Sequence, residues 1–446
     1  MCASTLARVK IPRSAWCRGG APVEWALFIG VMVMALTASW QVHGNDPLKY
    51  LRHYSDNQGY YQWLPGALLD HNIDRMYWQF QLPNGNYLSV FTFGVAILQM
   101  PFFLLGHVWA LAFDHPVDGF STPYAVANMV SSAFYTAAGC VLAYRLARRF
   151  VAWPFALSSS VLIFLCTNLL YYSAHEAGMS HSYSFFLMGL FAWCSLRVQD
   201  GPRRVHVAGW VLGLGMLVFV RQLNIIALLF AVLVAAQSQG GLRRSVRNLL
   251  KYRATLIVAS IIAAVPFVLM MVYWQHITGS PIVFSYGAKG EGFEWDRMVP
   301  GRVLFDIRNG WFVYTPIMIP VVIWLIHGAW KGLRPARGIL LVLVLTWLIY
   351  SAWWCWFLGT SFSHRGFIDL YALLAIPLAW MLRSLWRSGR AVRIVSGVLL
   401  LAMLWLNLGL TERYTWHWSQ EDWTWERLAD QVGDVFAGRY EPVDTR

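Results

Sequence analysis

The ionic residues of this chain fall on two sides of a series of apolar runs. When the runs are threaded alternately through a bilayer, 22 of the 35 Lys and Arg residues lie on one side, and 20 of the 22 Asp and Glu residues lie on the other. Cytoplasmic loops of membrane proteins carry an excess of Lys and Arg. A composition of 58% hydrophobic and 13% charged residues excludes a soluble globular protein of 446 residues. The chain is therefore predicted to be an all-α polytopic membrane protein.

Placing every basic loop in the cytoplasm predicts about eleven transmembrane helices in a single integral membrane domain. The segments 43–122 and 276–310 and the tail 411–446 would then lie on the outer side. The tail is rich in Trp and acidic residues and is predicted to pack there as an amphipathic cap. The first run lacks a clear small-residue cleavage site, so it is predicted to be a retained helix. The predicted spans are 24–42, 123–144, 152–171, 182–197, 207–220, 222–237, 254–275, 311–330, 338–357, 367–382 and 394–411.

Two apolar segments are ambiguous, and the charges of the loops decide both. Counting 88–113 as a span would invert every later loop, so we interpret it as a helix lying in or dipping into the outer leaflet. The run 207–236 contains Arg221, and an unpaired charge at the bilayer centre is costly. Two short helices meeting at Arg221 on the outer side avoid that cost. At about 1.5 Å per residue they are shorter than a ~30 Å hydrocarbon core, which predicts a depression in the outer surface.

The net charge of +13 does not indicate a nucleic-acid partner. The basic residues lie in short loops between apolar runs, which is the distribution of cytoplasmic loops rather than of a nucleic-acid groove. The six cysteines show no metal or redox spacing; Cys2 and Cys17 lie in the basic N-terminus and the others in apolar runs. No disulfide framework is expected.

The first outer loop contains the sequence Tyr54-Ser-Asp-Asn-Gln-Gly-Tyr-Tyr-Gln-Trp-Leu-Pro65. Its aromatic and apolar residues suit a helix lying flat at the membrane interface. Asp56 stands at the start of that helix, where Asp is a preferred capping residue. The alternative is a carboxylate held above the membrane for chemistry, with Tyr60 and Tyr61 as substrate contacts. The loop alone leaves both interpretations open.

Other candidate binding residues lie at the outer ends of the apolar runs. Arg221 and Arg365 are candidates for phosphate binding, because a guanidinium matches phosphate geometry and stays charged. The alternatives are snorkelling to the interface and, for Arg365, an ion pair with Asp369 four residues later. His364 and His181 are candidate substrate contacts or satisfied interface histidines. The spacing of the nearby His175, Glu176 and His181 is not that of a helical zinc pair, so no metal site is predicted.

The opening motif S-D-x-x-G-Y-Y-x-W-L-P after the first span resembles that of the GT-C membrane glycosyltransferases. The likeness is closest to a bacterial branch that is similar to dolichol-phosphate-mannose and lipid A aminoarabinose transferases. It covers most of the chain, and the first and last motifs are the most specific. The other matching segments are Phe93–Phe103, Thr167–Tyr172, Met179–Phe185, Arg221–Asn224 and Gly359–Asp369.

The resemblance implies an inverting hexosyl or pentosyl transferase that uses a polyprenyl-phosphate sugar. The acceptor would be a glycan, a lipid or a protein on the outer face of the inner membrane. In such enzymes a carboxylate of the first outer loop is the catalytic base, which corresponds here to Asp56. Many relatives carry a Lys before the second interfacial helix, whereas this chain has Asn86-Tyr-Leu-Ser. The loop also lacks Asp-x-Asp, so no cofactor is predicted, and a divalent metal is possible but unsupported.

A lipid or sugar transporter is the main alternative. Transporters carry ionic residues near the bilayer midplane and often a repeat between their halves. Here the ionic residues gather at one surface and no internal repeat is visible. A catalytically inactive assembly subunit also stays open at this point.

Overall fold

The computed structural model describes residues 20–52 and 56–439, and nearly all of its regular structure is helical. The basic stretch at residues 8–18, Cys2, Cys17, Tyr54 and Ser55 lie outside these ranges. A two-stranded hairpin is the sheet in the described chain, with β1 (Phe80–Gln81) antiparallel to β2 (Tyr87–Leu88). The predicted all-α class is therefore confirmed.

The helices follow one another along the described chain, with longer connections at 69–93 and 352–364. Short 3₁₀ helices at Gln222–Ile226, Trp295–Arg297, Arg365–Leu370 and Trp416–Ser419 stand between them. The α-helices are α1 (Ala21–His43), α2 (Pro47–Arg52), α3 (Asp56–Tyr61), α4 (Trp63–Leu68), α5 (Gly94–Ala112), α6 (Thr122–Arg148), α7 (Trp153–Leu165), α8 (Leu169–Ala174), α9 (Ser180–Gln199), α10 (Arg204–Val220), α11 (Ala227–Ala236), α12 (Gly241–Leu250), α13 (Arg253–Thr278), α14 (Ser285–Ala288), α15 (Pro300–Phe305), α16 (Trp311–Tyr314), α17 (Met318–Trp330), α18 (Ala336–Ser351), α19 (Tyr371–Arg387), α20 (Arg390–Arg413) and α21 (Trp425–Ala437).

Several of these helices are long and apolar enough to cross a membrane. In the described chain there are six, namely α1, α5, α6, α13, the continuous segment Arg365–Arg387 and α20. The number is seven if Gln222–Ala236 and Gly241–Leu250, which meet at 111°, form one broken span. Four apolar helices are shorter: α7, α10, α17 and α18. The chain is thus a multi-pass membrane protein, and the number of eleven spans stays a prediction.

The predicted span 152–171 is interrupted between Leu165 and Leu169. Two further predicted spans, both beside Arg365, also differ from the helices observed. The run 311–330 is divided into α16 and α17 at Thr315 and Pro316, because proline lacks the amide hydrogen that a continuous helix requires. The run 338–357 ends as a helix at Ser351 and continues as a loop to residue 364. Positive φ angles at Leu358, Gly359 and Ser363 prevent helix there. Both changes widen the irregular region beside Arg365.

The first span and α6 are antiparallel neighbours. Glu24 in the first turn of α1 accepts a hydrogen bond of 3.0 Å from Arg145 Nε in the last turns of α6. At the other end, Tyr50 donates to Asn128 Oδ1 at 2.7 Å. The segment 44–121 therefore leaves and returns on the same side.

Helix α5 is the one long helix within that segment of the structure, and it passes the length and hydropathy criteria for a span. A single crossing by α5 would not fit the antiparallel pairing of α1 and α6. Its placement in the outer leaflet stays a prediction, which this pairing supports.

The apolar run 207–236 is interrupted at Arg221, as predicted. Arg221 is extended, with φ −146° and ψ 105°, between α10 and the 3₁₀ helix Gln222–Ile226. Thr92 Oγ1 donates to the Phe219 carbonyl at 2.6 Å and so satisfies one of the acceptors freed by the break. The break turns the Arg221 side chain towards the N-terminus of α9.

The C-terminal tail is packed on the last long helix. Arg413 Nη2 of α20 lies 2.8 Å from Asp434 Oδ2 of α21. The rings of Trp418 and Trp423 stack with their centroids 4.8 Å apart, and Trp423 Nε1 donates to Tyr314 Oη at 2.9 Å. This arrangement agrees with the predicted amphipathic cap, while its position on the outer side stays a prediction.

Candidate active site

Two residues far apart in the sequence, Asp56 and Arg365, form an ion pair. Arg365 Nη2 lies 2.9 Å from Asp56 Oδ2, and the two side chains are 18% and 33% exposed. Asp56 is the first residue of α3, and Arg365 begins the 3₁₀ helix that leads into α19. Within the described ranges, no hydrogen bond joins the Asp56 carboxylate to the backbone of α3. The carboxylate faces Arg365, while the choice between helix capping and a catalytic role for Asp56 stays a prediction.

A second arginine, Arg221, is paired with Asp369. Arg221 Nε lies 3.1 Å from Asp369 Oδ2, and Asn224 donates to the same oxygen at 2.8 Å. Arg221 Nη1 donates to Ser180 Oγ at 3.1 Å, and Nη2 donates to Tyr350 Oη at 2.5 Å. Every nitrogen of this guanidinium therefore has a partner in the protein.

The two arginines differ in how many of their N–H donors have no partner in the described protein. Arg365 contacts Asp56 through Nη2, and the structured parts of the chain offer its other N–H groups no hydrogen-bond acceptor. A guanidinium carries five donors in a planar fork. Arg365 thus retains N–H donors for an anion. Arg221 instead joins α9, α18 and the 3₁₀ helix Arg365–Leu370.

The two tyrosines of the opening motif lie in different environments. Tyr60 donates to Ser180 Oγ at 3.2 Å and therefore joins the network around Arg221. Burial raises the pKa of Tyr60 to about 12, so it acts as a hydrogen-bond donor at neutral pH. Tyr61 instead donates to the Gly119 carbonyl and packs against Phe103 and Phe120. Its contacts are those of a core residue away from Asp56.

The two candidate histidines are buried. His181 Nδ1 lies 3.6 Å from Asp369 Oδ1, so this ring belongs to the Arg221 network. His364 Nε2 lies 3.0 Å from the Trp356 carbonyl, and its ring packs against Tyr350. Burial lowers the pKa of His364 to about 3, so its ring stays neutral. A neutral, fully buried imidazole anchors the loop before Arg365 and does not offer a charge to a phosphate.

Sequence reasoning assigned no role to Glu176, which lies in the turn between α8 and α9. It is half-buried, and its carboxylate makes no hydrogen bond or ion pair within residues 20–52 and 56–439. Burial raises the pKa of Glu176 to about 7, against the opposing field of Arg365, and the nearby Asp56 raises it further. The sequence signal that could have pointed to Glu176 is an acidic side chain in a turn predicted on the outer side. The site therefore contains, besides Asp56 and Asp369, a third carboxyl group whose pKa is raised to about 7.

This raised pKa predicts a pH-dependent effect of Glu176→Gln on stability. A carboxyl whose pKa rises from 4.5 unfolded to about 7 folded destabilises the fold increasingly as pH climbs through that window. We expect Glu176→Gln to raise the unfolding temperature by about 2 °C at pH 8, with the gain disappearing towards pH 4.5. Thermal unfolding in lipid nanodiscs across this range is the measurement. An equal shift at every pH would contradict the assignment.

The loop that carries Asp56 is held against a glycine in the Glu176 turn. Gly178 has φ +84°, and a Cβ added there would lie 2.1 Å from Asn57 Oδ1 and 2.4 Å from Asn128 Oδ1. Gln99 Nε2 donates to the Gly178 carbonyl at 3.2 Å. The close approach fixes the residue next to Asp56, so this glycine positions the carboxylate.

We therefore expect Gly178→Ala to displace Asn57 and to reduce activity at least about tenfold, with a loss of roughly 1–3 kcal/mol in stability. Gly290→Ala is the matched control, since Gly290 has φ +87° but no atom within 4 Å of the added Cβ. Both substitutions impose backbone strain, and only the first creates the clash. If the two variants lose activity equally, Gly178 does not position Asp56.

The residues of the site are not a metal-binding set. In the part of the chain that the structure describes, no group of three or more His, Cys, Asp or Glu side chains is arranged to hold a metal ion. Asp56 and Asp369 each face an arginine instead. Activity without a divalent metal stays a prediction.

Comparison with curated proteins gives a relative of this chain. The undecaprenyl phosphate-alpha-4-amino-4-deoxy-L-arabinose arabinosyl transferase of Pseudomonas aeruginosa (strain UCBPP-PA14) is 25% identical over 272 residues. This relative bears out the resemblance to the GT-C membrane glycosyltransferases. The match covers 58% of this chain and 43% of the relative, so it spans less than half of the relative's length. No protein-family model matches the chain.

Proposed function

We propose that this GT-C relative is a glycosyltransferase that moves a sugar from a polyprenyl-phosphate donor to a hydroxyl group of an acceptor. The ion pair between Asp56 and Arg365 is the observation that carries the proposal, because Arg365 keeps free donors beside a carboxylate. The Pseudomonas relative, named as an undecaprenyl phosphate-alpha-4-amino-4-deoxy-L-arabinose arabinosyl transferase, agrees with it.

Arg365 would bind the phosphate of the donor. As the bond between the anomeric carbon and the phosphate oxygen breaks, its electron pair and negative charge pass to the polyprenyl phosphate. A prepositioned guanidinium stabilises that developing charge, in a site that is largely shielded from water. The planar fork can hold Asp56 at one edge and the phosphate at the other.

Asp56 would act as the general base. The acceptor oxygen forms the new bond to the anomeric carbon, and its proton passes to the Asp56 carboxylate. With base and leaving group at opposite edges of Arg365, attack from the face opposite the phosphate would invert the anomeric configuration. The sugar would be a hexose or a pentose.

Arg221 and His181 would position rather than react. Each guanidinium nitrogen of Arg221 has a partner, and His181 Nδ1 lies 3.6 Å from Asp369 Oδ1. Together with Tyr60 they hold the N-terminus of α9 against α3, so that Asp56 faces Arg365. The active site would lie on the periplasmic face of the inner membrane, since this is the acidic side of the chain in the predicted topology.

The two candidate functions, transport and sugar transfer, would give different products in the same experiment. Purified protein in proteoliposomes is supplied with undecaprenyl phosphate carrying a radiolabelled sugar, together with a cell-envelope extract as the acceptor source. The proposal predicts free undecaprenyl phosphate and a labelled acceptor. Movement of intact donor between leaflets, with no cleavage of the sugar–phosphate bond, would instead establish the transporter.

A further inference from the structure

A separate cleft opens between the C-terminal tail and the loop that precedes Arg365. We call it the Trp416 cleft, and its volume is about 710 Å³. Small-molecule sites in proteins are commonly about 300–1,000 Å³. Its walls come from the segment before α16, from the loop 352–364 and from the tail, which the topology predicts on the same side as Asp56. Its lining includes Arg308, Phe357, Thr360, Trp416, Gln420 and Asp422.

The cleft presents an aromatic ring on a rigid support. Trp416 is 54% exposed and stacks on His417 with ring centroids 3.8 Å apart. Directly after it, Trp418 is buried and stacks on Trp423. An exposed indole face on a fixed backbone is suited to stacking against the C–H face of a sugar ring, at little cost in side-chain entropy.

The polar groups at the rim favour hydroxyls over anions. Gln420, Glu421 and Asp422 contribute amide and carboxylate oxygens. Arg308 is a cation in the lining, but its guanidinium lies over the Phe357 ring at 4.8 Å and 3.9 Å from Asp306. Its charge is therefore compensated, and Asp422 is likewise paired, 2.6 Å from Arg427 Nη1. Among the described residues of the lining, Glu421 is left as a carboxylate without an ion pair, so the cleft offers a phosphorylated or carboxylated ligand no uncompensated Arg or Lys.

The cleft is close to the proposed reaction centre along a fixed loop. Thr360 and Arg365 are five residues apart, so at most about 18 Å separates them. Ser361 hydrogen-bonds Tyr172 Oη at 2.7 Å, and Asn168 donates to the Phe362 carbonyl at 3.0 Å. A ligand in the Trp416 cleft would thus lie within reach of Arg365 and Asp56.

We propose that the Trp416 cleft binds an uncharged saccharide segment of the acceptor. The assignment of this ligand as the acceptor rests on the proposed function, whereas saccharide binding itself does not. On this proposal the acceptor is a hydroxyl-rich glycan, and it binds in a cleft separate from the Asp56–Arg365 ion pair.

Binding is tested without donor. The full chain in lipid nanodiscs is mixed with the uncharged trisaccharides maltotriose, mannotriose and N,N′,N″-triacetylchitotriose, and contacts are read by saturation-transfer NMR. We expect at least one to bind through its ring C–H protons. Trp416→Ala should weaken that binding about five- to tenfold, the loss expected for one stacked aromatic contact. Trp425→Ala is the matched control, since Trp425 is 57% exposed in the same tail but does not line the cleft.

Three results would overturn the proposal. These are no binding of any trisaccharide, equal binding by both tryptophan variants, or tighter binding of glucose 6-phosphate than of the uncharged sugars. A transfer assay then separates this proposal from the proposed function. If Trp416→Ala raises the KM for the acceptor and leaves donor affinity unchanged, the bound saccharide is the acceptor. If the trisaccharide binds but wild-type protein cleaves no donor, the transferase proposal fails and the saccharide site remains.

Discussion

Asp56→Asn is expected to abolish sugar transfer while the protein folds and binds its donor normally. The amide keeps the shape of the side chain and can still accept a hydrogen bond from Arg365, but it cannot take the proton of the acceptor hydroxyl. A positioned general base contributes about 10²–10⁴-fold to rate, so a loss in this range is predicted for kcat. Turnover of undecaprenyl-phosphate sugar under saturating acceptor is the measurement.

Donor affinity provides an additional test of the same variant. Removing the negative charge beside Arg365 removes a repulsion between Asp56 and the phosphate, so donor binding should be unchanged or slightly tighter. Asp70→Asn is the control, because Asp70 is an exposed carboxylate just after α4 in the same loop. A normal rate in Asp56→Asn, or a comparable loss in Asp70→Asn, would contradict the base assignment.

Substituting Arg365 should give the second large effect, expressed in both donor affinity and rate. Arg365→Lys keeps a positive charge but loses the planar fork that holds Asp56 and phosphate together. We expect kcat/KM for the donor to fall at least about tenfold in Arg365→Lys and about 10²–10³-fold in Arg365→Ala. Steady-state kinetics with varied donor concentration is the measurement.

Variants of two other arginines show whether an effect at Arg365 reflects loss of a phosphate contact or a general loss of charge or stability. Arg297→Lys should be neutral, since Arg297 is 76% exposed in the loop 276–310. Arg221→Lys should lower thermal stability together with activity, because it breaks the contacts that join α9, α18 and the 3₁₀ helix. If Arg365→Ala keeps donor affinity in folded protein, another group binds the phosphate.

The sequence predicts the helices of this protein well, because hydropathy and loop charge act locally. The break at Arg221 follows from the cost of a buried charge, and Arg221 does interrupt the apolar run. The extent of the helices is less predictable. Proline and left-handed residues shorten two runs whose hydropathy is continuous.

Contacts between distant segments could not be predicted. Spacing suggested an ion pair between Arg365 and Asp369, but this segment is a 3₁₀ helix, with about three residues per turn, so residues four apart diverge. Arg365 pairs with Asp56 and Asp369 pairs with Arg221. The roles of Asp56, Arg365 and Arg221 stay predictions, while their partners, the core position of Tyr61 and the partial burial of Glu176 depend on tertiary packing.

The central claim is that Asp56 and Arg365 together cleave a sugar–phosphate bond. Its most direct test is single-turnover release of undecaprenyl phosphate from a sugar-labelled donor, with wild-type and Asp56→Asn proteins in the same nanodiscs and acceptor in excess. The account predicts release by the wild type at a rate at least about 10²-fold above that of the variant, at equal donor occupancy. Equal release by the two proteins, or intact donor bound by both with no release, would contradict it.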